Sequence, residues 1–171
     1  GSTFSDWWAY KYEVKDAIPY NGAILYGQGI TTAFNSDDAE MARRLNQEAA
    51  KAVKYGQVPE EDALKFVTLN PAKLLHIDHK TGSIKVGKDA DIVVWDDNPL
   101  SMNARAVRTY VEGECLFSLE QDLILREGIQ TERARITKKM LAAGSAGAAM
   151  QKPSEKIRTH YHCDTETEEN N

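Results

Sequence analysis

Ile30-Thr31-Thr32-Ala33-Phe34, then Asn35-Ser36-Asp37-Asp38, then Ala39-Glu40-Met41-Ala42 is the stretch that decides how this chain folds. The first five residues are β-branched or apolar, which reads as a short buried strand rather than a half-exposed one. The next four carry turn chemistry. Beyond them Met41, Ala42, Leu45, Ala49, Ala52 and Val53 recur at three- and four-residue steps, predicting one helix from Ala39 to about Tyr55 with a single buried face. Strand, acidic turn and amphipathic helix form the basic unit of an α/β fold, where chemistry gathers at the carboxyl ends of strands. Asp37 stands at such an end. Two readings of it stay open: a catalytic carboxylate, or a helix cap, since Asp37 with Glu40 three positions on also fits a capping box and Asp38 can cap as well.

Working outward, Phe4 to Tyr20 is aromatic-rich without clean alternation and reads as a loop passing into irregular or helical turns. Ala17 to Tyr26 reads as a short helix that turns Ile18, Ala23 and Leu25 inward, with Gly27 and Gly29 ending it. Gly56 stops the helix that follows Asp38. A second helix opens at Pro59, with Glu60 and Glu61 at the positive end of its dipole, and is expected to reach Asn70. Pro71 lacks the N–H to continue that ladder, so Ala72 to Leu75 reads as a separate turn. Ala90 to Trp95 reads as a buried strand, and Val107 to Val111 with Cys115 to Phe117 as a hairpin around Glu112-Gly113. Ser118 and Gln121 fit a capping box opening a long polar helix to about Ala143, whose apolar stripe is Leu119, Leu123, Ile129, Ile136 and Met140. The stretches 142–149 and 164–171 read as a mobile tail.

The 171 residues carry 21 Lys and Arg against 26 Asp and Glu, a net charge of −5. No basic excess exists to displace counterions from phosphates, and Glu60, Glu61 and Asp62 open the second helix, so a nucleic-acid partner is disfavoured. The longest apolar runs, such as Ile92-Val93-Val94-Trp95, are too short to span a membrane. Cys115 and Cys163 allow one disulfide at most. The start at Gly1 reads as mid-protein sequence.

Four segments together resemble the carboxyl-terminal portion of the amidohydrolase superfamily, near its imidazolonepropionase-like branch. They are Thr32 to Asp38; Ala63-Leu64 with Thr68-Leu69-Asn70-Pro71-Ala72; Gly82-Ser83-Ile84 with Val86 to Trp95; and Val107 to Gly113. The second and third, in this order and spacing, are highly specific, and the matches cover roughly residues 28–117. The resemblance sets Thr32 to Asp38 on the family's eighth barrel strand and Ser2-Thr3-Phe4 at the end of the seventh. It implies an α/β fold: the end of a metal-dependent (β/α)8 barrel plus part of a small composite β-sandwich. The implied division is 1–76 for the last βα units and following helices, 77–117 for sandwich strands, 118–143 for a carboxyl-terminal helix and 144–171 for a disordered tail.

The resemblance further implies hydrolysis of a carbon–nitrogen bond in an amide or cyclic amide. Asp37 would bind a divalent metal, expected to be zinc, take a proton from metal-bound water and pass it to the leaving nitrogen. The family's other ligands, a His-x-His pair, a Lys or Glu and two further His, come from earlier strands and have no counterpart here. The chain is therefore expected to be one segment of a longer enzyme, inactive alone and holding no metal alone, with the remainder of the barrel as its partner. The rival class is a non-catalytic interaction or assembly module in which the hairpin 39–75 is a docking surface and Asp37 only caps a helix.

Other features have both a functional and a plainer reading. Trp7 and Trp8 follow the presumed seventh strand and can wall a substrate pocket or simply pack a loop. Arg43 can reach an anionic substrate or form a solvated helix face. Asp89, Asp91, Asp96 and Asp97 read as turn chemistry more readily than as a calcium site. His76 and His79 are ordinary surface histidines, and His160, His162 and Cys163 are metal-ligand types on a tail without a fourth partner. The stripe of the last helix needs a cover, from the parent barrel or a second protomer forming a homo-oligomer.

Overall fold

The computed structural model describes residues 1–149 and 151. His160, His162, Cys163 and most of the expected tail lie outside the described residues. The chain divides into two compact units, with the boundary between Arg126 and Glu127.

In the first unit, β1 (Ser2–Thr3) and β2 (Ala33–Phe34) pair in parallel, Ser2 opposite Ala33 and Thr3 opposite Phe34. Backbone bonds from Ala33 N to Gly1 O (2.9 Å) and from Asn35 N to Thr3 O (3.1 Å) extend the ladder at both ends. Parallel neighbours need a crossover. It is supplied here by an aromatic loop, a 3-10 turn at Tyr12–Val14 and α1 (Asn21–Gly27). The strand expected over Ile30–Phe34 is shorter than its composition suggests: Ile30 is exposed, and only the last two residues pair. Thr32 is nevertheless fully buried, with its Oγ1 donating to Ile30 O at 2.9 Å and its carbonyl accepting from Asn70 Nδ2 at 2.8 Å.

The single helix expected from Ala39 is two, α2 (Ala39–Ala42) and α3 (Leu45–Gly56). Arg44 leaves helical geometry at φ −127°, and the break re-aims the chain so that Ala49 and Ala52 are buried while Ala42 stays exposed. Gly56 is the last residue of α3, but Gln57 in the left-handed region ends it. A Cβ on Gly56 would come within 1.9 Å of the Ala23 Cβ, so this glycine serves the close approach of α1 to α3.

The next expected helix is also divided, into α4 (Glu60–Lys65) and α5 (Leu69–Leu74). Pro71 was expected to end a helix and instead lies third in α5. There its missing N–H is one of the first-turn donors without an intrahelical partner, so it opens the helix rather than closing one. Phe34, Ala52, Val58, Ala63 and Phe66 form the core, with the Phe34 and Phe66 rings edge-on at 5.7 Å.

A three-stranded antiparallel sheet follows, β3 (Ile92–Trp95), β4 (Ala106–Val111) and β5 (Glu114–Ser118), in that order. Glu112 (φ 51°) and Gly113 (φ 86°) are both left-handed, the conformation a two-residue hairpin turn requires. The expected hairpin is present, but the expected burial of β3 is not: Val93 and Val94 are 44% and 41% exposed, and no residue of the three strands is buried. An apolar run alone does not bury a strand, and the described residues cover β3 only in part. Helix α6 (Leu119–Ser145) starts where expected and runs two residues further than expected; none of its residues is buried. No described helix is long and apolar enough to cross a membrane.

Candidate functional site

The carboxyl ends of β1 and β2 lie side by side, because the strands are parallel. After Phe34 the chain leaves β2 through Asn35 and Ser36 to Asp37, which is exposed and takes a left-handed φ of 49°. Aspartate tolerates that region better than most residues, and non-glycine residues held there concentrate at functional turns.

Asp38 is the cap: its Oδ1 accepts from Glu40 N at 2.9 Å and from Met41 N at 2.8 Å, satisfying the first free donors of α2. The capping-box reading of Asp37 with Glu40 is therefore corrected, since the side chain one position later does that job.

Asn35 lies between core and corner. Its Nδ2 donates to Ser2 Oγ at 2.7 Å across the parallel pair, while its Oδ1 is enclosed without a hydrogen-bond partner among the described residues. Asn21 of α1 binds Thr3 Oγ1 and donates to Phe4 O at 3.3 Å, so the end of β1 is held from the helix side too.

The loop after β1 carries the aromatic residues. Trp7 is half-buried, its ring 5.7 Å from Phe4 and 5.0 Å from Tyr10, whereas Trp8 is 51% exposed. Arg43, at the end of α2, is exposed and pairs with Glu40 at 3.7 Å. The carboxylates near β3 do turn chemistry. Asp91 accepts from Glu112 N at 3.0 Å and from Thr81 Oγ1 at 3.2 Å, and Asp96 accepts from Arg105 N at 2.7 Å. His76 and His79 are exposed. Among the described residues no three His, Cys, Asp or Glu gather closely enough to hold a metal ion.

One feature escaped the sequence reading. Glu48 is only 5% exposed, Ser5 1%, and Ser5 Oγ donates to Glu48 Oε2. Lys51 answers the carboxylate at 2.7 Å and reaches Asp6 at 3.2 Å. The available signal was a charge inside an apolar stripe: position 48 stands between Leu45 and Ala49–Ala52 on the face that α3 buries.

The model of the amidohydrolase family matches residues 11–143. The chain belongs to the amidohydrolase family. It is 41% identical over 115 residues to amidohydrolase tasK of Hapsidospora irregularis, covering 67% of this chain and 12% of that protein. To the urease alpha subunit of Edwardsiella ictaluri it is 39% identical over 90 residues, 43% of this chain and 16% of the subunit. An amidohydrolase from Thermotoga maritima superposes with a TM-score of 0.58 at 38% identity, over 68% of this chain and 29% of that one. The amidohydrolase chain thus spans a small fraction of the length of its relatives.

Proposed function

We propose that this amidohydrolase segment works within a hydrolase acting on carbon–nitrogen bonds other than peptide bonds, with a small amide or cyclic amide as substrate. In this reading β1 and β2 are the last two strands of a (β/α)8 barrel within residues 1–76, β3 to β5 within 77–117 belong to a composite sandwich, and the helix over 118–143 packs on the parent or a second protomer. The 171 residues alone are inactive, their partner being the remainder of the barrel.

Asp37 is the residue we assign to catalysis. What supports the assignment is the geometry of the β2 corner: Asp38 caps α2, and Asp37 has a left-handed backbone at the carboxyl end of a parallel strand. A divalent cation, zinc by family resemblance, would acidify a water and polarise the substrate carbonyl. The described residues do not by themselves fit a complete zinc centre, because catalytic zinc takes three protein ligands and they bring no such group together. Asp37 would supply one ligand. Its second task is proton transfer: the carboxylate takes the proton given up by the attacking water and returns it to the leaving nitrogen. Trp7 and Trp8, on the loop beside that corner, supply flat apolar surface for the substrate, and Arg43 lies beyond α2 for an anionic group.

The test uses the full-length enzyme and a panel of amides and cyclic amides, with amine release as the readout. Chelation should abolish turnover and added zinc restore it. Turnover indifferent to chelation would overturn the metal-dependent reading.

A further inference from the structure

Glu48, Ser5 and Thr32 are the buried polar side chains among the described residues, and Glu48 is the charged one. A carboxylate leaves water only at a cost of several kcal/mol unless it is paired and hydrogen-bonded. Glu48 meets that demand with Ser5 Oγ on one side and Lys51 Nζ on the other, at 2.7 Å to Oε1 and 2.9 Å to Oε2. Lys51 then bridges to Asp6 at 3.2 Å, so Ser5 and Asp6, consecutive residues past β1, are both held by the first turns of α3. An apolar side chain at position 48 would match the neighbouring Ala49 and Ala52 and stabilise the helix packing at least as well. What the charged network adds is a fixed position.

What it positions follows from the topology. Helix α3 follows Asp37 in the chain, whereas Ser5 and Asp6 begin the loop of the neighbouring strand. The same loop continues into Trp7, whose ring is set between Phe4 and Tyr10. We propose that Glu48, with Lys51, is a positioning residue that clamps the loop after β1 to the helix after β2, fixing the aromatic wall relative to the Asp37 corner. This rests on the assignment of Asp37 and its surroundings as the reaction site.

In the full-length enzyme, Glu48→Gln keeps the side chain's size and an acceptor for Ser5 but removes the charge that Lys51 answers. We expect kcat to fall about tenfold, a size typical of groups that orient a site, with KM within about twofold. Hydrogen exchange in the peptide containing Phe4 to Trp8 should accelerate. Lys51→Met, which strands the buried charge, should have the larger effect, and the double variant should recover to the level of Glu48→Gln. Unchanged exchange protection at residues 4–8 overturns the clamp, whatever kcat does. Lost protection with kcat unchanged also overturns it, because the network is then structural only. Wild-type turnover in Asp37→Asn, with lost protection and lowered kcat in Glu48→Gln, would sink the role of Asp37 and leave the clamp standing.

Discussion

The strand–helix half of the first unit and the sheet that follows it solve the burial problem differently. Around β2 the described residues close a core of their own, with Phe66 1% exposed and Ala49, Ala52 and Ala63 fully enclosed. In β3, β4 and β5 no residue is buried, although Ile92 to Trp95 is as apolar as anything in the chain. Apolar sequence shows what an element is built to meet, and burial shows what meets it in these residues. Among the described residues, then, the strand–helix half carries the core and the sheet stays partly exposed.

The largest effect that would break this contrast is Phe66→Ala. Removing a fully packed ring should cost about 3–5 kcal/mol, read as a lowered midpoint in urea unfolding of the 171-residue chain followed by tryptophan fluorescence. A loss under about 1 kcal/mol, the size expected at a lightly packed position, would mean that the core is not formed in isolation. Val94→Thr sharpens the other side. In this chain it should shift stability by less than about 0.5 kcal/mol, as exposed substitutions do. In the full-length protein it should cost about 1–2 kcal/mol, because burying the added hydroxyl unpaired is unfavourable. Equal effects in both would contradict the idea that β3 gains cover in the parent.

Asp38→Ala should cost about 1 kcal/mol by exposing the first amides of α2, whereas Asp38→Asn, an equivalent cap, should leave thermal stability unchanged. The smallest effect concerns Asp62, which accepts from Lys65 at 2.6 Å and from the Tyr26 hydroxyl at 2.7 Å. The Lys65 hydrogen bond, then that from Tyr26, lowers the Asp62 pKa, while the Asp62 hydrogen bond raises those of Tyr26 and Lys65. A depressed carboxyl contributes stability above its unfolded pKa and loses it as pH falls through the folded value. The tie should therefore survive mild acidification and fade below the ordinary aspartate range, as a carbon-detected titration of Asp62 would show. A midpoint at or above the ordinary value would contradict the contact.

Much of the architecture was legible because periodicity and turn chemistry are local. Glu112-Gly113 announced its hairpin, and the helix expected over Ala17 to Tyr26 overlaps α1, which starts later, at Asn21, and runs through Gly27 instead of ending there. What was not legible depended on partners far along the chain. The break at Arg44 sets α3 with Glu48, Ala49 and Ala52 buried, and Pro71 takes its meaning from where α5 begins, which no property of proline alone dictates. Burial of β3 was misjudged because an apolar run reports intent, not company. At the site, Asp37 was visible as the end of a strand, but spacing could not choose between Asp37 and Asp38 as cap. Backbone geometry did, through the two amides aimed at Asp38 and the left-handed turn at Asp37. Glu48 was readable only as an anomaly in its helical stripe, since Ser5 lies 43 residues away.

The central claim is that neighbouring carboxylates at one corner have separate duties, Asp37 chemistry and Asp38 capping. Measuring kcat for Asp37→Asn and Asp38→Asn side by side in the full-length enzyme tests it most directly. The account predicts a loss of about 10³-fold for Asp37→Asn, in the range of a lost acid–base group, with an unchanged melting temperature, and turnover near wild type for Asp38→Asn. Wild-type turnover in Asp37→Asn, or an equal loss in both, would contradict it.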